Sequence, residues 1–426
     1  MGVLLVILFI GLIAIGVPIS FALGAVSFTG IALLDGIPNM VVFTKMFNGL
    51  GSFTLLAVPL FILAANLMNE GSISDRLINV STAMVGHVRG GLAHANVLVS
   101  MVFAGISGSS QADTAGIGKV LIPAMESQGY DKETAVGVTA ASSTLGSIIP
   151  PSIIMVVYAG VANVSTGGLF MTGILPGVML GLVQMAVIFS KRKQFPKGER
   201  LPLKDILRRI GGAFPALVTP VLLIGGIVSG VFTPTEAAAV ACIYALFISF
   251  FVYRSIKVKD FPRILIETMK LSSLSLFALA TACALGELLS YYRLNEAVQG
   301  FFTAIPGGSM LFLLVVVFFF LFVGTFMDAV PAIILFTPIV LPSALSLGIS
   351  PIILGLIMVI TLAMGLVTPP YGLCLLLSAS ISGITIERAF RGVLPYLLVS
   401  LAVLVILVLF PGFFLAVPKI LFPNLY

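Results

Sequence analysis

The chain is built from long apolar runs with almost no charge inside them, and that pattern leaves few folds open. Such runs lie near 2–16, 20–34, 52–68, 134–162, 168–190, 212–230, 235–253, 271–290, 351–379 and 392–416. About 20 consecutive apolar residues cross a bilayer as a helix. The runs are continuous rather than alternating, which argues against a membrane β-barrel. Only 9% of the residues are charged and 59% are hydrophobic, where a soluble domain carries about 25% charge. Too little polar surface exists to coat a globule in water, so the fold class is an all-α polytopic membrane protein. The first sixteen residues have no basic leader and no small-residue cleavage site, and are read as the first span. Cys242, Cys283 and Cys374 stand far apart in apolar runs, and His87 and His94 lie near one loop; neither set suggests a disulfide or a metal centre.

Two stretches break the pattern. Leu92–Ala104 and Met310–Val323 are each about half a span, followed by a glycine-containing break and a second half-length piece. Runs of this length suggest re-entrant segments, here hairpins over 92–127 and 310–346. The basic residues support this. The segment 191–209 holds eight Lys or Arg, and 254–270 holds Arg254, Lys257, Lys259, Arg263 and Lys270. If neither hairpin crosses, Arg76, Arg89, Lys132, Arg388 and Arg391 fall on that same side, which then carries eighteen of the 22 basic residues. The basic side faces the cytoplasm, and both termini fall opposite, in the periplasm.

The chain is also written twice. Residues 121–151 align with 340–370 without a gap at an offset of 219. Pro123/Pro342, Gly129/Gly348, Gly146/Gly365, Pro150/Pro369, Pro151/Pro370, Gly173/Gly392 and Pro176/Pro395 coincide. Glycine and proline set backbone shape, so what repeats is a pattern of bends. Each half then holds five crossings and a hairpin. Five is odd, so the second half runs inverted, and inverted repeats with interrupted helices mark secondary transporters. The expected organisation is a first repeat over 1–190 with its broken helix at 134–162, a basic linker over 191–209, and a second repeat over 210–426 with its broken helix at 351–379.

The chemistry concentrates at the breaks. The first hairpin tip reads Gly105-Ile106-Ser107-Gly108-Ser109-Ser110 and its twin Gly324-Thr325-Phe326-Met327-Asp328. Facing each is a Pro-Pro step. Proline removes a donor and clashes with the carbonyl four residues back, so Pro150 and Pro151 should free the carbonyls of Gly146 and Ser147, and Pro369 and Pro370 those of Gly365 and Leu366. Carbonyls freed in hydrocarbon need partners. A hard cation that prefers oxygen is one, with hydroxyls of Ser107, Ser109, Ser142, Thr361 and Thr368 to complete its shell; a neighbouring hydroxyl across a simple kink is the other. Helix N-termini at the tips suit a carboxylate. Asp113 and Asp328 are acids at membrane depth, where charge is usually functional. Ser110 to Asp113 also has capping-box spacing, and Asp328 could cap the outgoing half-helix. Glu236 should cap the helix after Pro234, and Glu287 could pair with Arg293. Gly116-Ile117-Gly118-Lys119 lacks the spacing of a nucleotide loop. No nucleophile–base arrangement appears, so the chain is not read as an enzyme.

At these residues the sequence resembles a known family. GISGSSQADTAGIG (105–118), GSIIPPS (146–152), GTFMDAVPAI (324–333) and MGLVTPPYG (364–372) look like the large (M, DctM-type) membrane subunit of tripartite ATP-independent periplasmic (TRAP) transporters, and the likeness runs through the whole chain. The resemblance implies a sodium-coupled elevator in the bacterial inner membrane. It implies two or more Na+ sites and no organic cofactor. The cargo would be an organic acid such as a C4-dicarboxylate, sialic acid or another sugar acid, delivered by a periplasmic substrate-binding protein. The small (Q) subunit would be a separate polypeptide, and lipid rather than nucleic acid would surround the chain. By resemblance, sodium is held near Ser107, Ser109, Gly146, Ile149, Gly324, Gly365 and Thr368, and substrate near Ser109, Ser110, Ser143 and Pro369. The alternative is a stand-alone ion-coupled anion carrier with no binding protein.

Overall fold

The computed structural model describes residues 2–34, 36–51, 53–198, 200–293, 300 and 308–421. Among the described residues are nineteen α-helices, and the only strand-like pairing is an isolated bridge between Arg89 and Lys197. The first five helices are α1 (Gly2–Ala14), α2 (Ile19–Ala32), α3 (Met40–Leu50), α4 (Ala57–Glu70) and α5 (Ile73–Val85). Then come the arms of the first hairpin, α6 (Gly91–Ser107) and α7 (Ser110–Ser127), and the broken pair α8 (Lys132–Ser143) and α9 (Ile153–Ala162). Helix α10 (Thr166–Ser190) closes this half. The second half holds α11 (Leu203–Val228), α12 (Pro234–Phe247) and α13 (Phe261–Tyr291). It continues with the hairpin arms α14 (Gly308–Gly324) and α15 (Ala329–Ser346) and the broken pair α16 (Pro351–Gly365) and α17 (Leu373–Ser382). Helices α18 (Ile386–Leu409) and α19 (Pro411–Leu421) end it.

Helix boundaries follow local chemistry. Ser109, Asp131, Ser152 and Ser165 each accept a hydrogen bond from a first-turn N–H, at the starts of α7, α8, α9 and α10. At α12, Thr233 and Glu236 form a reciprocal capping box ahead of Pro234, as expected of Glu236. Moving 219 residues from α6, α7, α8, α9 and α10 lands within two residues of the first residue of α14, α15, α16, α17 and α18 respectively. Both Pro-Pro steps, Pro150–Pro151 and Pro369–Pro370, are cis.

Among the described residues, six helices, or helices with their flanking turns, are long and apolar enough to cross a membrane: Thr166–Ser190, Leu203–Val228, Pro234–Val252, Val258–Tyr291, Ala329–Ser346 and Ile386–Leu409. One of them, α15, is a hairpin arm, yet it starts inside the molecule, where Asp328 at its head meets Gln111 of α7. The centre is occupied by α8, buried from Ala135 to Ser143, and α16, buried from Ile352 to Gly365. Helix α11 instead leaves Phe214 and Val221 exposed, as a lipid-facing helix does.

Four details depart from the sequence reading. Helices α3 and α5 fall in regions given no span and, at 11 and 13 residues, rise only about 16–20 Å; α1, α2 and α4, in stretches read as spans, are no longer than 14 residues, or about 21 Å. Residues 261–270, read as loop, belong to α13, whose 31 residues extend about 46 Å. The surplus carries Arg263 clear of hydrocarbon to pair with Glu70 at 2.6 Å. The last span is cut between Phe410 and Pro411, because the residue before a proline is pushed out of helical geometry. Within the basic linker 191–209, residues 203–209 are helical, the start of α11, while Phe195 stacks on Tyr130 and Gly90 donates to the Pro196 carbonyl.

Candidate functional site

The first hairpin turns at Gly108, whose φ of +63° lies in the left-handed region. Ser109 follows in extended geometry and caps α7, its Oγ accepting from the Ala112 N–H at 3.4 Å. Ser107 Oγ donates to Asp113 Oδ1. Asp113 is fully buried, and its second oxygen, Oδ2, has no hydrogen-bond partner. The capping-box pairing of Ser110 with Asp113 is therefore not formed; Ser109 is the cap, and the Asp113 carboxyl turns inward.

The break between α8 and α9 closes around this tip. Ile153 N–H donates to the Gly108 carbonyl at 3.1 Å. The hydroxyls of Ser110 and Ser147 lie 2.7 Å apart, and Thr114 donates to Ser143 at 2.6 Å. Gly146 backs directly onto Asp113: a methyl group added there would collide with the carboxyl. Ser107, Ser109 and Gly146 thus come together around an orphaned carboxylate oxygen, an oxygen-lined cradle that fits a small hard cation. Ile149 lies in the same turn, its N–H bonded to the Leu145 carbonyl at 2.8 Å. The sequence reading left Asp113 between a functional acid and a helix cap and did not place it with these residues.

The second half repeats the arrangement with different side chains. Asp328 caps α15, accepting from Ala329 N–H at 2.8 Å, as one sequence reading had it. Tyr371 N–H donates to the Thr325 carbonyl at 2.9 Å, which ties tip to break again. The backbones of Gly324 and Gly365 touch, with no room for a side chain at Gly365. Thr368 closes the turn, its N–H on the Gly365 carbonyl at 3.0 Å and its hydroxyl on the Met364 carbonyl at 2.9 Å.

Three of the four carbonyls expected to be free carry protein donors. Ser147 accepts from Ser152 Oγ at 2.6 Å, Gly365 from Thr368, and Leu366 from Cys374 N–H at 2.9 Å. Ser152 and Cys374 reach back from beyond a Pro-Pro step, and Thr368 closes a tight turn just before one, although a carbonyl has a second lone pair to offer. Ser142 and Thr361 sit upstream of the breaks and bond elsewhere. Ser142 joins Asn96 and Ser100, and Thr361 donates to the Ile357 carbonyl at 2.6 Å.

The two tips meet. Gln111 Nε2 donates to Asp328 Oδ1 at 3.3 Å. Beside this contact opens a cavity of about 400 Å³, lined by Ser109, Ser110, Gln111, Ser147 and Asp328, with Asn66 and Asn69 of α4 across from them. Its described lining contains no Lys, Arg or His. Ser143 and Pro369, expected near substrate, are not among its walls; Ser143 is buried and donates to the Ala140 carbonyl. Asn66, Asn69 and Gln111 were missed, because a lone amide in an apolar run carries no spacing signal. Near the far end of α13, Glu287 pairs with Lys45 of α3 at 3.0 Å, a partner not foreseen for it.

An all-helical membrane chain with two broken helices facing two hairpins has the architecture of a solute transporter. The solved structure of the Alcanivorax borkumensis YdaH transporter shares this fold, with a TM-score of 0.64 at 16% identity, over 96% of this chain and 98% of that one. Residues 6–413 match the family described as "Tripartite ATP-independent periplasmic transporter, DctM component". A C4-dicarboxylate TRAP transporter large permease protein of Pseudomonas aeruginosa is 40% identical over 377 residues, 88% of each chain. A sialic acid TRAP transporter large permease protein of Vibrio cholerae is 34% identical over 96% of this chain and 97% of its own. The 2,3-diketo-L-gulonate large permease protein of Escherichia coli is 35% identical over 94% and 95%. The chain belongs to the TRAP transporter large permease family: it is a multi-pass membrane transporter subunit, not an enzyme.

Proposed function

We propose that this chain is the transporting subunit of a sodium-coupled uptake system for an organic acid anion, working as an elevator built on two inverted repeats. The observation that carries the reading is the cavity between the hairpin tips. It offers amide and hydroxyl donors but no basic side chain, and Asp328 adds a negative group to its wall. An anion there needs positive charge from elsewhere. Helix N-termini at Ser109 and Ser152 supply part of it. Cations at the two tips supply the rest, one beside Asp113, Ser107, Ser109 and Gly146, the other by Gly324, Gly365 and Thr368. Anion and cation then bind as a unit, and that mutual dependence is the thermodynamic content of coupling.

The relatives named above carry a C4-dicarboxylate, sialic acid and 2,3-diketo-L-gulonate in their names. All are organic acids, which supports an organic acid as the substrate class. The family description names one component of a tripartite assembly; the partners are a small membrane subunit and a periplasmic substrate-binding protein. The 219-residue recurrence of helix starts supports the inverted repeats. The crowding of basic residues on one side supports an inner-membrane orientation with periplasmic termini. In the moving unit, the hydrogen bonds from Ile153 to Gly108 and from Tyr371 to Thr325 hold each tip to its broken helix as one rigid body.

Uptake of labelled organic acids into proteoliposomes holding this chain and its small subunit tests the reading. Uptake is expected only with an inward sodium gradient and the cognate binding protein. Equal uptake with potassium replacing sodium refutes the coupling, and full uptake without the binding protein restores the stand-alone carrier.

A further inference from the structure

A second polar cavity lies away from the transport site, between α5 and the start of α11. Its volume is about 450 Å³ and its walls are Arg76, Asn79, Asp205, Arg208, Arg209 and Gly212. Three guanidinium groups face one carboxylate, an excess of two positive charges. Arg76 is held in place from two sides: its guanidinium lies 3.8 Å over the Tyr253 ring, and Nη1 donates to the Gly212 carbonyl at 3.4 Å. Tyr253 in turn donates its hydroxyl to the same carbonyl at 3.1 Å. Yet Arg76 Nε is buried and has no acceptor. A buried N–H of a charged group left without a partner is costly; the three guanidinium groups that line the cleft, one of them held in a fixed orientation, suit an oxyanion.

We propose that this cleft binds the phosphate of an anionic phospholipid headgroup in the cytoplasmic leaflet. The depth fits. Arg208 and Arg209 stand just before the apolar part of α11, in the most basic stretch of the chain. Exposed Leu207, Phe214 and Val221 recur at seven-residue intervals on the opposite side of α11 from the cleft, which marks that side as the apolar outer face of the helix. Basic pockets between helices on the cytoplasmic side are suited to such headgroups. A bound headgroup would bridge α5, between the first span pair and the first hairpin, to α11, the first helix of the second half.

The test uses the delipidated full-length chain in detergent and native mass spectrometry. The probes are phosphatidylglycerol, phosphatidylcholine and inorganic phosphate. Replacing Arg208 and Arg209 together with glutamine should weaken phosphatidylglycerol binding about 30-fold, at roughly fivefold per basic residue near the surface, and leave phosphatidylcholine unchanged. Asp205→Asn should tighten phosphatidylglycerol binding about fivefold and serves independently if the double variant does not fold. Unchanged phosphatidylglycerol binding in a well-folded double variant, or no gain in Asp205→Asn, overturns the site. Stoichiometric binding of inorganic phosphate that excludes phosphatidylglycerol overturns the lipid assignment in favour of a soluble phosphate.

Discussion

Asp113→Asn separates a cation ligand from a structural acid. In the native chain Asp113 Oδ1 accepts from Ser107 while Oδ2 is buried with no partner. A cation seated at about 2.5 Å from that carboxylate, at an effective dielectric near 20, gains about 6–7 kcal/mol. An amide oxygen keeps part of this; losing half, about 3 kcal/mol, weakens cation binding about 100-fold. The substitution is nearly isosteric, and the amide oxygen can still accept from Ser107. Without sodium the variant should be no less stable than the native protein, since a neutral amide suits a buried site at least as well as a carboxyl group does. With sodium about 100-fold above its dissociation constant, the native chain gains about 2.7 kcal/mol of stability, whereas the variant, then near half-saturation, gains about 0.4 kcal/mol. Thermal unfolding in sodium against potassium reads this directly: a sodium-specific rise in Tm in the native protein, largely lost in Asp113→Asn. A variant that keeps the full sodium-specific rise removes Asp113 from the cation site and with it the reason for the cradle at Gly146.

Bulky replacements at Ser109 or Thr368 should abolish sodium-dependent uptake while membrane insertion, followed by fluorescence of a fused reporter, is retained. Gly365→Ala drives a methyl group into the Gly324 backbone; overpacking of this kind costs about 1–3 kcal/mol, seen as a lowered Tm, together with a weakened second cation site. Gln111→Leu breaks the contact between the tips and removes a donor from the cavity; a loss of about 1 kcal/mol appears as a roughly fivefold higher KM with protein levels unchanged. At the start of α8, the Glu133 backbone N–H and the Arg388 guanidinium, 2.5 Å away, hold the Glu133 carboxyl below its usual range. That pair therefore contributes fully above the unfolded-state pKa and is lost as pH falls through the lower, folded-state value. Half-exposed pairs contribute no more than about 1 kcal/mol, so Glu133→Gln should flatten the acid limb of a Tm–pH curve slightly and leave neutral pH nearly unchanged.

The amino-acid order alone determined the membrane class, the two hairpins, both broken helices and the 219-residue recurrence. These rest on signals written along the chain: apolar run length, and the placing of glycine and proline, whose effect on the backbone is local. The short amphipathic helices α3 and α5 were not legible, because they cross nothing and their turns are set by packing against longer helices. Nor was the fate of the freed carbonyls of Ser147 and Leu366, since the donors from Ser152 and Cys374 reach them only after the chain has folded back. Tertiary structure alone decided which way Asp113 faces, that Gln111 touches Asp328 across 217 positions of sequence, and that Arg76 and Arg209 share one cleft. Such contacts join residues distant in the chain and depend on the angles at which helices pack, and no local preference encodes those angles.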